Sequence, residues 1–162
     1  SFAELPGHYF GQLGVIVTAS DGKKVLFGGD SFFGREVMAK YWIPFLYDVR
    51  AFKASLDKLV QIHADVYVPS HGKSVTEIAE TAELNKIAVL STETCIVNIL
   101  KKNELTTDEL IKAVADSNEI PMKLAQYVLI GCTLRSYLSY LSAEKRITCR
   151  MYSIMLLWSA VQ

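Results

Sequence analysis

Three short segments of the sequence place side chains that can bind a metal ion beside glycine residues. His8 lies in LPGHYFGQLG, Asp30 lies in FGGDS, and His71 lies in PSHG. Imidazole nitrogens and carboxylate oxygens are ligands for zinc, manganese and iron. Glycine lets the backbone turn sharply or come close to a bound group. Each segment alone is an ordinary turn, but the three in this order, each at a predicted strand end, favour a metal site.

The order of these segments resembles the second half of the metallo-β-lactamase superfamily. The shared pattern is Pro-Gly-His-x-x-Gly-x-x-Gly, then a hydrophobic strand with Gly-Asp-Ser, then a strand with Pro-Ser-His-Gly. The resemblance implies a dinuclear centre in which His8 binds one ion, His71 binds the second, and Asp30 bridges both and is the catalytic residue. It favours two zinc ions in the full-length parent, with manganese or iron as alternatives.

One motif of that superfamily is missing from this chain. The first half carries His-x-His-x-Asp-His, whereas the histidines here are His8, His63 and His71, and no two have that spacing. We therefore interpret the chain as a fragment, and its start at Ser1 without Met favours a true N-terminus upstream. His63 ends an apolar helical stripe and is interpreted as structural. The predicted fold class is α/β: half of an αββα metallo-β-lactamase-like sandwich in residues 1–88, followed by a helical, winged-helix-like module in residues 89–162.

The chemistry that the resemblance implies is hydrolysis by water activated between two metals. A thioester, a lactone or another ester-type small-molecule substrate is expected. Asp30 stands where zinc β-lactamases often carry Cys, which favours the glyoxalase-II or lactonase type, and phosphodiesterase relatives also keep this Asp. A flavodiiron-like protein is a weaker alternative, because only the segment DSFFG loosely resembles that branch of the superfamily. Without the first-half ligands, the fragment alone is expected to be inactive.

The composition narrows the class of protein. A chain of 162 residues, 51% of them hydrophobic, can form one domain or one domain and a small second one. Its formal net charge of zero gives no support for binding nucleic acid or an anionic membrane. The three cysteines, Cys95, Cys132 and Cys149, lack a CxxC spacing and are predicted to be reduced core thiols. With no signal peptide and no transmembrane segment in the sequence, a cytoplasmic protein is expected.

Periodicity predicts the elements that position the three segments. An antiparallel hairpin turns at Asp21-Gly22, a helix is capped by Asp48, and a long helix or two joined helices follow the His71 segment. The aromatic segment between the Asp30 and Asp48 regions is either a core cover or a pocket wall. The predicted bounds are 14–19 and 24–27 for the hairpin strands, 32–44 for the aromatic segment, 48–63 for the helix, 65–69 for the next strand and 76–103 for the long helix.

The tail has a pattern of its own. Thr106 is predicted to cap one helix, Pro121 to begin another, and 146–149 and 154–161 to form two strands. Three helices and a hairpin resemble a winged-helix module. Residues 91–162 hold eight Lys or Arg and seven Asp or Glu, which does not favour DNA binding because phosphate contacts supply most of its affinity. A dimerisation or structural module, without catalysis, is the alternative, and exposed apolar surface predicts a homo-oligomer.

Overall fold

The computed structural model describes residues 1–40, with Lys40 as backbone alone, and residues 43–161. It divides into two compact units, Ser1–Val89 and Leu90–Gln162, which are described separately here. The predicted mixed α/β class is confirmed, because each unit combines helices with a β-sheet. Among the described residues, no helix has the length and apolar character needed to cross a membrane.

The first unit is built around a four-stranded sheet in the order β1-β2-β3-β4. β1 pairs antiparallel with β2, β2 pairs antiparallel with β3, and β3 pairs parallel with β4. Strands β1, β3 and β4 therefore run in the same direction, and their carboxyl ends lie at one end of the sheet. The elements are β1 Phe2–Glu4, β2 Leu13–Thr18, β3 Lys24–Gly29, α1 Arg35–Lys40, α2 Val49–Gln61, β4 Val66–Pro69 and α3 Ile78–Leu100, of which the first unit takes residues to Val89.

The two faces of this sheet differ in burial. Ala3, Leu26 and Tyr67 are buried on one face, as the alternation of side chains along strands requires. The opposite face is apolar and exposed: the strand register aligns Phe2, Val15, Phe27 and Val68 in one row and Val17, Val25 and Val66 in the next. Phe2 is 73% exposed and Phe27 48%. An uncovered apolar face of this kind marks a surface that another element normally covers.

Helix α2 confirms the predicted cap. Asp48 is the N-cap residue, and its Oδ1 accepts a hydrogen bond of 2.9 Å from the amide of Ala51. The face toward the core carries Val49, Phe52, Ser55, Leu56 and Leu59. His63 lies beyond the end of the helix and is exposed, so its predicted place in the apolar stripe is wrong.

The aromatic segment contains a short helix that the sequence analysis did not predict. Phe32 and Phe33 are buried, and Arg35–Lys40 form the short helix α1. Tyr41 and Trp42 lie outside the described residues. Phe32 and Phe33 therefore pack into the core of the first unit.

The second unit contains the remainder of α3, two further helices and a three-stranded antiparallel sheet in the order β5-β7-β6. Its elements are β5 Leu105–Thr106, α4 Thr107–Ser117, α5 Leu124–Ala143, β6 Ile147–Tyr152 and β7 Met155–Ala160. Thr106 forms the predicted capping box with Glu109. Pro121 does not begin the next helix, since α5 starts at Leu124 with Lys123 as its N-cap.

Two polar features of the second unit were not foreseen. Glu93 is almost fully buried and forms an ion pair with Arg146. Cys132 and Cys149 are exposed and Cys95 is partly buried, so the prediction of three core thiols is wrong for two of them. The lack of a CxxC spacing carries no information about burial: Cys132 lies on the exposed side of α5, and Cys149 lies on the exposed part of β6.

Candidate metal centre

The topology of the first unit explains why its metal-ligand candidates meet. His8 lies in the loop after β1, Asp30 directly follows β3, and His71 lies two residues beyond the last residue of β4. These are the three strands that share one direction, so all three side chains follow carboxyl ends at the same end of the sheet. Loops at that end of a sheet are common places for ligand sites.

Asp30 is the centre of the arrangement. Its Oδ2 lies 3.7 Å from Nε2 of His8, and its Oδ1 lies 3.9 Å from Nε2 of His71. The carboxylate therefore presents one oxygen to each imidazole. The side chains of His8 and Asp30 are about one quarter exposed, whereas that of His71 is 71% exposed.

The ring of His8 is oriented by a backbone carbonyl. Nδ1 of His8 lies 2.8 Å from the carbonyl oxygen of Phe45. Because a carbonyl only accepts hydrogen bonds, Nδ1 carries the proton in this contact, and Nε2 of the neutral ring holds a lone pair. This lone pair faces the carboxylate of Asp30. A hydrogen bond on the far nitrogen commonly fixes the tautomer of a metal-binding histidine.

A break in the strand register directs Asp30. The pairing of β3 with β4 shifts between Phe27 and Gly29, which is a bulge that turns the end of the strand. Gly29 has a φ of +62°, and a methyl group there would come within 2.1 Å of Nε2 of Gln12. That same nitrogen donates a 3.3 Å hydrogen bond to the carbonyl of Gly28. The positive φ therefore favours glycine at this position, and a larger residue would also displace the Gln12 amide from the Gly28 carbonyl.

The loops of Asp30 and His71 are joined directly. The amide of Ser70 donates a 2.8 Å hydrogen bond to the carbonyl of Gly29. Each of these residues precedes one of the site residues. This bond therefore fixes the separation of the two backbones from which Asp30 and His71 project.

The donor set fits a cation on two observations. Oδ1 of Asp30 is buried and has no hydrogen-bond partner among the residues that the structure describes. A buried carboxylate oxygen without a partner is costly unless a proton or a cation neutralises it. Nε2 of His8 lies 3.7 Å from Oδ2 of Asp30, and a cation shared between a neutral imidazole and this carboxylate would attract both atoms.

The three residues nevertheless do not form a closed cage for a single ion. Within residues 1–40 and 43–161, no group of three or more His, Cys, Asp or Glu residues is arranged to hold a metal. The contacts run in pairs through Asp30, with one imidazole for each oxygen. The roles of His8, Asp30 and His71 as ligands, and of Asp30 as the catalytic residue, stay predictions.

The aromatic segment lines one side of the site. The rings of Phe33 and Phe45 meet that of His8 edge-on, with centroids 6.0 Å and 5.3 Å away. The burial of Phe32 and Phe33 supports the core-cover alternative, whereas the pocket-wall alternative stays a prediction.

Sequence analysis missed three groups that support the site. Gln12 holds the Gly28 carbonyl, Phe45 orients His8 through its own carbonyl, and Ser55 donates a 2.6 Å hydrogen bond to the carbonyl of Pro6. Ser55 had a signal, since it is a polar residue on the buried face of α2. Gln12 lies inside the first motif. The Phe45 carbonyl had no signal, because every residue carries one.

Comparisons with known proteins support the fold. No family model matches this chain, and no curated protein matches it. Solved structures do match. A metallo-beta-lactamase family protein from Thermus thermophilus is 16% identical with a TM-score of 0.76, over 99% of this chain and 48% of its own. A beta-lactamase domain protein from Burkholderia ambifaria is 12% identical with a TM-score of 0.72, over 96% of this chain and 45% of its own.

Likeness at this level of identity establishes the fold. The chain has a mixed α/β fold similar to that of metallo-beta-lactamase family structures, and it spans about half of their length.

Proposed function

We propose that this chain is the second half of a dinuclear metal-dependent hydrolase that acts on a thioester, lactone or other ester-type small molecule. The observation that carries the proposal is the Asp30 carboxylate, whose two oxygens face the imidazoles of His8 and His71. A carboxylate that serves two separate imidazoles is suited to bridging two ions. The similarity to metallo-beta-lactamase family structures supports the proposal.

The residues of this chain have distinct roles in the proposed site. His8, Asp30 and His71 hold the ions, with zinc favoured over manganese and iron for this nitrogen and oxygen set. A bound divalent ion supplies a hydroxide near neutral pH by lowering the pKa of its water. The Phe45 carbonyl keeps the Nε2 lone pair of His8 available, and the rings of Phe33 and Phe45 limit the access of bulk water to that imidazole.

Two observations support a missing first half. The chain spans 48% and 45% of the two solved structures, and the apolar face of its sheet around Phe2, Val15 and Phe27 is exposed. We propose that the first half covers this face and contributes further ligands. With three ligands divided between two ions, each ion keeps at most two from this chain. A catalytic zinc uses about three protein ligands and an open position, so this chain alone is proposed to be inactive.

The test compares this chain with a version joined to the upstream half encoded by its gene. Esterase, thioesterase, lactonase and phosphodiesterase substrates would be assayed with added zinc or manganese. The joined protein should turn over at least one class, and Asp30→Ala should abolish that turnover. His63→Ala is the matched control, because His63 is exposed and precedes β4, whereas His8, Asp30 and His71 each follow the carboxyl end of a strand. Turnover by the isolated chain that disappears in His8→Ala would show that the fragment is itself an enzyme.

A non-catalytic function is the second candidate, and it rests on the second unit. We propose that this unit is a winged-helix-like module, because three helical segments precede the β6–β7 hairpin and β5 joins β7 in the same sheet. Its nearly balanced charge favours packing or homo-oligomer formation over nucleic-acid binding. Salt-sensitive binding of duplex DNA in a mobility-shift assay would favour the nucleic-acid alternative.

A further inference from the structure

One face of helix α2 follows the segment that leads to His8. Three residues at intervals of three, Phe52, Ser55 and Lys58, lie against Gly7, Pro6 and Glu4 of that segment in turn. The Ser55 hydroxyl donates a 2.6 Å hydrogen bond to the Pro6 carbonyl, and Nζ of Lys58 donates one of 3.0 Å to the Glu4 carbonyl. Residues at this spacing lie on one side of a helix. The segment is therefore attached along the helix at several points.

Gly7 lies directly against the backbone of this helix. A methyl group on Gly7 would come within 2.3 Å of Cα of Phe52. The residues just before α2 hold the same glycine from another direction, because the amides of Tyr47 and Asp48 each donate a 2.9 Å hydrogen bond to its carbonyl. Two consecutive carbonyls, those of Pro6 and Gly7, are thus fixed by α2 and the residues that lead into it.

This attachment determines where the His8 ring lies. The Phe45 carbonyl that accepts from Nδ1 of His8 belongs to the segment that enters α2, so the helix positions both the backbone of His8 and the acceptor for its ring. Ser55 lies on the core-facing side of α2 and is 3% exposed. Its hydroxyl donates the hydrogen bond that joins this side of the helix to the Pro6 carbonyl. The other buried residues of α2, all of them described, are apolar.

We propose that Ser55 is a positioning residue for His8. Its hydroxyl holds the Pro6–His8 turn so that Nδ1 meets the Phe45 carbonyl and Nε2 points to Asp30. The proposal rests on the proposed function only where it concerns metal affinity; the orientation of the ring is independent of it. Loss of partners that orient a metal ligand commonly weakens binding by roughly 10- to 100-fold. We expect Ser55→Ala to weaken metal binding about tenfold, near the lower limit of this range, because the Gly7 carbonyl still accepts hydrogen bonds from two amides.

The experiment measures the ring nitrogens of His8 directly. Long-range proton–nitrogen correlation spectra of the metal-free full chain would be recorded, with His8→Gln assigning the signals among only three histidines. In the unmodified chain, Nδ1 of His8 should be protonated and Nε2 unprotonated. In Ser55→Ala, both signals should move toward the average of the two tautomers, and zinc affinity measured by calorimetry should fall about tenfold. Ser55→Thr, which keeps the hydroxyl, should retain most of both properties.

A matched control separates positioning from general loss of stability. Thr133→Val removes another buried hydroxyl that donates to a backbone carbonyl, that of Leu129, and it lies in the second unit. It should leave the His8 nitrogens and zinc affinity unchanged. The proposal is overturned if Ser55→Ala leaves the His8 nitrogens unchanged, or if Thr133→Val moves them equally. If the unmodified chain binds no zinc, the metal-site proposal is weakened, while the nitrogen signals still decide the role of Ser55.

Discussion

Gly7 offers the sharpest test of how the site is built. Its φ of +139° lies in the region that favours glycine, and a methyl carbon there would come within 2.3 Å of Cα and 2.5 Å of the amide nitrogen of Phe52. Both atoms belong to helix backbone, so no side chain can move aside. Positive φ costs a residue with a Cβ about 1–2 kcal/mol, and overpacking a fixed backbone costs about 1–3 kcal/mol. We expect Gly7→Ala to destabilise the first unit by about 2–5 kcal/mol.

Two other glycines separate the cost of the positive φ from the cost of the clash with Phe52. Gly22 has a φ of +87° with open space around it, so Gly22→Ala should cost the backbone strain alone, about 1–2 kcal/mol. Gly11 has no positive φ, and no neighbour lies within 4 Å of the position that a methyl group would take. Gly11→Ala should therefore be neutral or stabilising by up to about 1 kcal/mol.

The assay is urea unfolding followed by the amide signals of β2 and β3, which report on the first unit. Gly11→Ala should be the most stable of the three variants, Gly22→Ala the next, and Gly7→Ala the least stable. The chemical shifts of the His8 ring nitrogens should change in Gly7→Ala and stay unchanged in Gly11→Ala and Gly22→Ala. A Gly7→Ala variant no less stable than Gly22→Ala would refute the argument that the turn lies against the backbone of α2.

Three further outcomes are expected. The isolated chain should associate at micromolar concentration through its exposed sheet face, and Phe2→Ser should reduce the mass measured by light scattering; a monomeric unmodified chain would contradict this. Burial raises the pKa of Tyr137 well above 10, so its contribution to stability is complete below pH 10 and is lost as the pH rises further. Ultraviolet titration should find this tyrosine protonated until the second unit unfolds, and Tyr137→Phe should lessen the loss of stability above pH 10. Arg146→Met leaves Glu93 buried without this partner and should cost about 3–5 kcal/mol. Arg150→Met, at an exposed pair, should cost much less because solvent screens that pair; equal losses in thermal unfolding would contradict the difference in burial.

The local signals in this sequence predicted local structure well. Asp48 and Thr106 were identified as helix caps because the side chain and the amide it accepts from are three residues apart. Pro121 misled the prediction of α5, since a proline fits the first turn of a helix but does not require one. Helix α1 escaped prediction because its six residues lie between aromatic residues that obscure any amphipathic period.

The candidate site was predictable in its members but not in its geometry. The Gly-His, Gly-Asp and His-Gly pairs carry the chemistry in the sequence itself, and the direction of the strands brings them together. The tautomer of His8 depends on a carbonyl 37 residues away, and the turn before it depends on a hydroxyl 49 residues from its acceptor. No local pattern encodes contacts at such separations.

The sequence by itself determined which side chains can bind a metal, where the chain turns beside them, and where most of the strands and helices lie, although not α1, β1 or β5. It left open which face of the sheet is covered, because both faces of β2 and β3 carry apolar residues. Only the tertiary structure decided that Leu26 is buried while Phe27 is exposed, and that each oxygen of Asp30 meets a different imidazole. The physical reason is that burial and ligand geometry arise from packing between segments that are distant in sequence, whereas turns and caps arise within a few residues.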